Sequence, residues 1–159
     1  MRGLHWFRTD LRLQDNRALG DLFQAVDEWC GLFVLEPRLV DIPSVSRKRL
    51  SFLFGCLDDL ASDIARVGSR LVIIDGPAET QIPQVMHELS LSVLSFNEGT
   101  TPFASSRDQA VIRSVKKAGH KVFKRRDDVI FSATDIRSSK GSGPASCTLN
   151  VNSALRSTL

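Results

Sequence analysis

The chain has 159 residues, 42% of them hydrophobic, and 21 basic against 18 acidic side chains give a formal charge of +3. That size and composition predict one ordinary globular domain with a core large enough to stand without metal or disulfide. The basic excess is too mild to establish a nucleic-acid partner, no apolar run reaches the length of a membrane span, and the amino terminus lacks a signal-peptide core. Cys30, Cys56 and Cys147 are odd in number and lack a C-x-x-C pair, which argues against a disulfide framework or zinc site and suits a reducing cytoplasm.

Along the chain, Gly3 to Arg8 reads as the first strand and Asn16 as the N-cap of the helix after it. Gly31 to Glu36 is the second strand. From about Ser46 to Val67, the residues Leu50, Leu53, Phe54, Leu57, Leu60, Ile64 and Val67 recur at helical steps and form one stripe, which Gly68 stops. Arg70 to Asp75 is the third strand, and Pro83 is expected in the first turn of the next helix, where its missing N–H costs nothing. Ser92 to Asn97 is the fourth strand, Phe103 to Ala118 a helix closed by Gly119, and His120 to Lys124 the fifth strand. Strands alternating with crossover-length helices predict an α/β fold, a Rossmann-like doubly wound five-stranded parallel sheet with helices on both faces. From Ser132 the texture turns to Ser, Thr, Gly and Lys, so residues 1–131 are expected to form the α/β domain and 132–159 a flexible linker or tail.

Open parallel sheets bind ligands beyond the carboxyl ends of their strands, near the point where strand order reverses. Those ends carry Arg8 with Thr9 and Asp10, then Glu36, Asp75, and Asn97 with Glu98. No G-x-G-x-x-G or P-loop follows a strand, and the glycines of Lys140 to Pro144 lie in the tail. His5, His87 and His120 sit in a strand, a helix and a strand start, so no catalytic residue and no metal ligand is assigned. Lys116, Lys117, Lys121, Lys124, Arg125 and Arg126 form the densest basic cluster. It suits phosphate backbone, or equally a helix C-terminus with Asp127 and Asp128 in balance, so DNA contact is expected to be weak if it occurs.

The run Leu4-His5-Trp6-Phe7-Arg8-Thr9-Asp10-Leu11-Arg12-Leu13-Gln14-Asp15-Asn16-Arg17-Ala18-Leu19 resembles the opening of the photolyase/cryptochrome family, W-F-R-x-D-L-R-x-x-D-N-x-A-L. Phe33 to Pro37, Phe96 to Glu98 with Pro102-Phe103 and Arg107-Asp108, and Asp127 to Ile130 resemble the family in the same order, to about Pro144. In the opening, Arg8, Asp10, Arg12 and Asp15 are expected to pair within a tight loop. The resemblance implies an amino-terminal domain able to hold an antenna chromophore, a reduced folate or a deazaflavin, which passes light energy to FAD in a following helical domain. That flavin drives DNA repair in photolyases, as a lyase, or signalling in cryptochromes. Antenna contacts would then fall on Arg12, on Phe33, Val34, Leu35 and Glu36, and on Asn97, Glu98 and Thr101. The chain departs from the family at Gly99 and Thr101, where deazaflavin binders carry acids, and at Phe103 and Ala104, where folate binders carry an Asn-Glu pair. Beyond Pro144 the residues Ala145 to Asn152 leave the family pattern, as in a truncated, frameshifted or excised domain, so the helical flavin domain or an equivalent protein is the expected partner. Alone, such a domain is not expected to be catalytic; a stand-alone nucleotide-binding α/β domain and a protein-interaction module are the alternatives.

Overall fold

The computed structural model describes residues 1–37 and 47–127. Among the described residues nine elements alternate: β1 (Arg2–Phe7), α1 (Arg17–Ala25), β2 (Glu28–Leu35), α2 (Arg47–Arg66), β3 (Leu71–Asp75), α3 (Ala78–Glu88), β4 (Val93–Asn97), α4 (Pro102–Lys117) and β5 (Lys121–Arg125). All five strands pair in parallel in the order β3-β2-β1-β4-β5. The direction of winding reverses between β1 and β4, the topological switch point of a doubly wound sheet. Right-handed crossovers keep α1 and α2 on one face on the way out to β3, and put α3 and α4 on the other on the way back to β5.

Each face has its own core, because successive strand side chains point to opposite sides. Phe7 and Phe33 pack with Leu19 and Leu22 of α1 and Leu57, Leu60 and Ile64 of α2. Leu4, Trp6, Leu32, Val34, Leu94 and Phe96 pack with Ile82 and Met86 of α3 and Val111 and Val115 of α4. Gly31 lets the first face close: a Cβ there would stand 2.9 Å from both Ile64 Cδ1 and Phe7 Cε2.

Local chemistry sets the helix ends. Asn16 has extended backbone at φ −126° and its side chain accepts from Leu19 N, so it caps α1 as the sequence predicts. Thr101 does the same for α4, accepting from Ala104 N, with Pro102 in the first turn. Three helices end in one way. Gly68 N donates to Ala65 O and Ser69 N to Ile64 O; Gly119 N donates to Lys116 O and His120 N to Val115 O; Ser90 N donates to His87 O and Leu91 N to Met86 O. These are Schellman caps, with a left-handed residue closing each helix. Gly68 (φ +78°) and Gly119 (φ +86°) adopt that conformation freely, whereas Ser90 adopts it at φ +52°.

Several expectations need correction. Pro83 lies inside α3, not in its first turn, because the helix already starts at Ala78 behind Pro77. The bond that residue 83 would donate to Glu79 therefore cannot form. In the α2 stripe, Leu57, Leu60 and Ile64 are buried, whereas Phe54 is exposed, because the sheet covers only the carboxyl-terminal half of a 20-residue helix, and Val67 is exposed just past its end. β2 starts at Glu28, three residues before the predicted Gly31, since Arg2 and Gly3 of β1 extend the pairing. The described residues form a compact unit from Met1 to Asp127. The expected boundary near residue 131, the tail 132–159 and Ser46 lie outside the described residues.

Candidate functional site at the carboxyl edge of the sheet

At the carboxyl end of β1, Arg8 lies on the α4 side of the sheet. Its Nη1 donates to Asp108 Oδ1 at 2.6 Å, and the two side chains are only 9% and 5% exposed. Asp108 Oδ1 also accepts from Arg107 Nη2 at 3.4 Å, and its Oδ2 accepts from Gly99 N at 3.1 Å. Arg107 continues the chain to Glu36, past the end of β2, with Nη1 at 3.3 Å from Oε1 and 3.4 Å from Oε2. Both guanidinium groups lie over the Trp6 ring, Arg8 at 4.8 Å and Arg107 at 5.0 Å from its centre; Arg107 is 5.8 Å from the centre of the half-exposed Phe103 ring. Burial, and next the charge of Arg107, push the Arg8 pKa down, while Asp108 opposes both. Among the described residues one buried donor, Arg107 Nε, has no partner. Gly99 is required beside this network, because a Cβ there would fall 2.5 Å from Ala104 Cβ.

A second network closes the other side of the switch point. Asn97 Nδ2 donates to Asp10 Oδ2 at 2.6 Å and to Asn16 Oδ1 at 2.8 Å, and Asn97 Oδ1 accepts from Ala18 N at 3.2 Å. Below it, Asn16 Nδ2 lies 3.3 Å from His5 Nε2, and His5 Nδ1 lies 2.6 Å from Ser95 Oγ. The amide can only donate to Nε2, so the ring is neutral with its proton on Nδ1, donated to Ser95. Burial, and then the charge of Arg8, push the His5 pKa down to about 3. His5 and Ser95 have the separation of a base and its nucleophile, but both are fully buried and out of reach of any substrate.

The structure gives each expected contact residue a definite place. Glu36 joins Arg107, and Asn97 joins Asp10 and Asn16. Glu98 accepts from Lys124 Nζ at 2.5 Å and from Arg126, which hold its carboxyl below the usual range, the Lys124 hydrogen bond foremost. Thr101 caps α4. Arg12 stands apart, donating to Asp15 O at 3.0 Å and to Asp127 Oδ2 at 2.9 Å. Phe33 and Val34 lie inside the two cores, and Leu35 packs beside the first. Of the tight-loop pairing expected among Arg8, Asp10, Arg12 and Asp15, only the hydrogen bonds from Arg12 to the Asp15 carbonyl form: Arg8 and Asp10 find partners on α4 and β4, which the fold brings beside β1. The basic cluster also divides, with Lys124 and Arg126 on Glu98 and Arg125 on Asp21, while Asp127 pairs with Arg12 and Arg17 rather than with the cluster. Arg107 and Phe103 are the site residues that spacing alone misses; they enter the sequence reading only through the family resemblance.

The arrangement offers a floor of charge-balanced guanidinium and carboxylate groups and an aromatic face at Phe103. It suits the binding of a planar group and lacks an accessible acid, base or nucleophile among these residues. Among the described residues there is no cluster of metal ligands, and no helix is long and apolar enough to cross a membrane.

Known proteins share this architecture. Cryptochrome-1 of Mus musculus is 31% identical over 144 residues, 91% of this chain and 24% of its own length. The deoxyribodipyrimidine photo-lyase of Synechococcus sp. is 31% identical over 138 residues, 87% of this chain and 28% of its own. The chain thus spans about a quarter of the length of these curated relatives. An archaeal photolyase from Sulfolobus tokodaii, solved with two FAD molecules and implicating a novel light-harvesting cofactor, superposes with a TM-score of 0.77 at 28% identity, over 84% of this chain and 31% of its own. A bacterial class III photolyase from Agrobacterium tumefaciens shares the fold with a TM-score of 0.79 at 22% identity, over 89% of this chain and 29% of its own. The family model for DNA photolyase matches residues 3–158, nearly the whole sequence, and the chain belongs to that family as its amino-terminal α/β domain.

Proposed function

We propose that this domain serves a light-driven flavoprotein, a photolyase or a cryptochrome, as the scaffold that holds an antenna chromophore beside a flavin-bearing helical partner. Lyase or signalling chemistry belongs, in this reading, to FAD in the helical domain; the antenna supplies absorbed light energy when bound. The observation that carries the reading is the network at the β1/β4 switch point, where the Arg107 guanidinium, paired with Glu36 and Asp108, meets the half-exposed Phe103 ring.

These residues fit a planar heteroaromatic. Phe103 and the Arg107 guanidinium stack on its face, Thr101 flanks it, Glu36 and Glu98 line its polar edge, and Leu35 and Asn97 support it from behind by fixing the ends of β2 and β4. Arg12, farther along the β1–α1 loop, reaches an anionic tail once it releases Asp127, while Phe33 and Val34 act from behind by fixing the end of β2. A reduced folate and a deazaflavin both have this shape; the archaeal relative solved with a second FAD adds a flavin to the chromophores worth testing. The partner is the helical flavin domain. Contact of this domain alone with DNA is weak, since three cations of the basic cluster are already paired.

Absorption spectra of the purified chain, taken after incubation with a reduced folate, a deazaflavin or FAD and desalting, test the reading. Stoichiometric retention that Phe103→Ala and Arg107→Gln abolish is the expected result. A folded protein that retains none of the three would overturn the antenna role and leave a scaffold or interaction module.

A further inference from the structure

A concavity opens at the opposite, amino edge of the sheet. It has a volume of about 500 Å³, within the range of small-molecule sites, and is lined where β1, β2 and β3 begin and where α2 and α3 end. Its lining charges cancel in pairs, with one exception. Arg2 Nε stands 3.1 Å from Glu28 Oε2, and Arg2 Nη1 donates to Leu89 O at 2.9 Å. Asp27 takes the amino group of Met1. Ser69 Oγ donates to Trp29 O at 2.6 Å. The guanidinium of Arg70 alone has no ion pair or hydrogen bond among the described residues, although it lines the same space.

The remaining lining comes from the apolar residues Leu89, Leu91, Val67, Trp29 and Cys30, the last only 5% exposed. Arg2 and Arg70 both act on the Cys30 thiol, which burial holds in its neutral form. A single uncompensated cation at the mouth of a half-apolar cleft selects a ligand with one negative group and an apolar body. We propose that this cleft binds a small organic anion with a single anionic head, a carboxylate or a phosphate ester, with that head on Arg70 and its apolar part against Leu89, Leu91 and Trp29. The site is distinct from the switch point and stands whether or not an antenna binds there.

Trp29 gives a direct readout, since the only other tryptophan, Trp6, is buried at the middle of the sheet. The intact chain is titrated with decanoate, decyl phosphate and uncharged decanol while tryptophan emission and the reaction rate of Cys30 with a thiol reagent are followed. Decanoate or decyl phosphate is expected to shift Trp29 emission saturably and to slow Cys30 labelling, and whichever binds tighter identifies the head group. Trp29→Phe removes the emission signal. Arg70→Gln, an exposed change that leaves the Arg70 O to Gly31 N bond intact, is expected to weaken the anions at least tenfold at an unaltered melting temperature. Equal binding by Arg70→Gln, equal binding of decanol, or no saturable signal from any probe would each overturn the proposal.

Discussion

Mild acid probes the buried His5 directly. The ordinary histidine pKa is 6.5 and the folded value is about 3, so between these pH values the unfolded chain binds a proton that the folded chain refuses. The stabilising contribution is complete above pH 6.5 and is lost as pH falls toward 3, with a slope that approaches about 1.4 kcal/mol per unit. At pH 5 the loss is about 2 kcal/mol, a figure that barely changes for any folded pKa below about 4. Asp27 and Glu98, held low by the Met1 amino group and by Lys124, lose their stabilisation mainly near and below their ordinary values of 3.8 and 4.5, below the pH range compared next. His5→Gln keeps a donor toward Ser95 and an acceptor toward Asn16 but does not titrate. Urea unfolding of both proteins at pH 7 and pH 5, followed by circular dichroism, isolates the effect. The wild type should lose about 2 kcal/mol more than the variant. Equal losses would refute the assigned burial and the neutral ring, as would a ring nitrogen spectrum showing both nitrogens protonated at pH 5.

Asp108→Asn leaves Arg8 buried without its counter-charge and should cost about 3 kcal/mol of unfolding free energy, measurable by urea titration; Arg8→Met in the same background should recover part of it. Ser90→Gly removes the strain of a side chain in a left-handed cap and should raise stability by about 0.5–1 kcal/mol, seen as a higher melting temperature.

The sheet was readable because apolar strand runs alternate with helical stripes, and Asn16 and Gly68 punctuate them by local rules. Pro83 was misplaced for a related reason: Pro77 and Ala78 also satisfy the rules for a helix start, and only the core decides between the two frames. Phe54 fits the α2 stripe by period, yet the sheet's width determines how many turns it can cover, and that width is not a local quantity. At the site the difficulty is separation along the chain. Arg8 and Asp108 are 100 residues apart, Glu36 and Arg107 are 71, and Asn16 and Asn97 are 81, so nearest charges in sequence suggested partners that the fold replaces. Glu98, Asn97 and Glu36 were visible as polar strand ends because topology alone puts them on one edge; their partners on α4 and in the β1–α1 loop were not.

The strand order also constrains how the molecule assembles in time. β1 is central, yet of its two neighbours β2 follows within some twenty residues while β4 begins only at Val93. On a ribosome, β1, β2 and β3 can zip with α1 and α2 into a three-stranded intermediate whose far edge stays open until β4 emerges. Trp6 and Leu4 then wait for Phe96 and Leu94, and the loop ending in Asn16 has no lock until Asn97 arrives. Docking of β4 is therefore the step that closes the switch point, and until it occurs the nascent chain exposes the unpaired edge of the central strand β1.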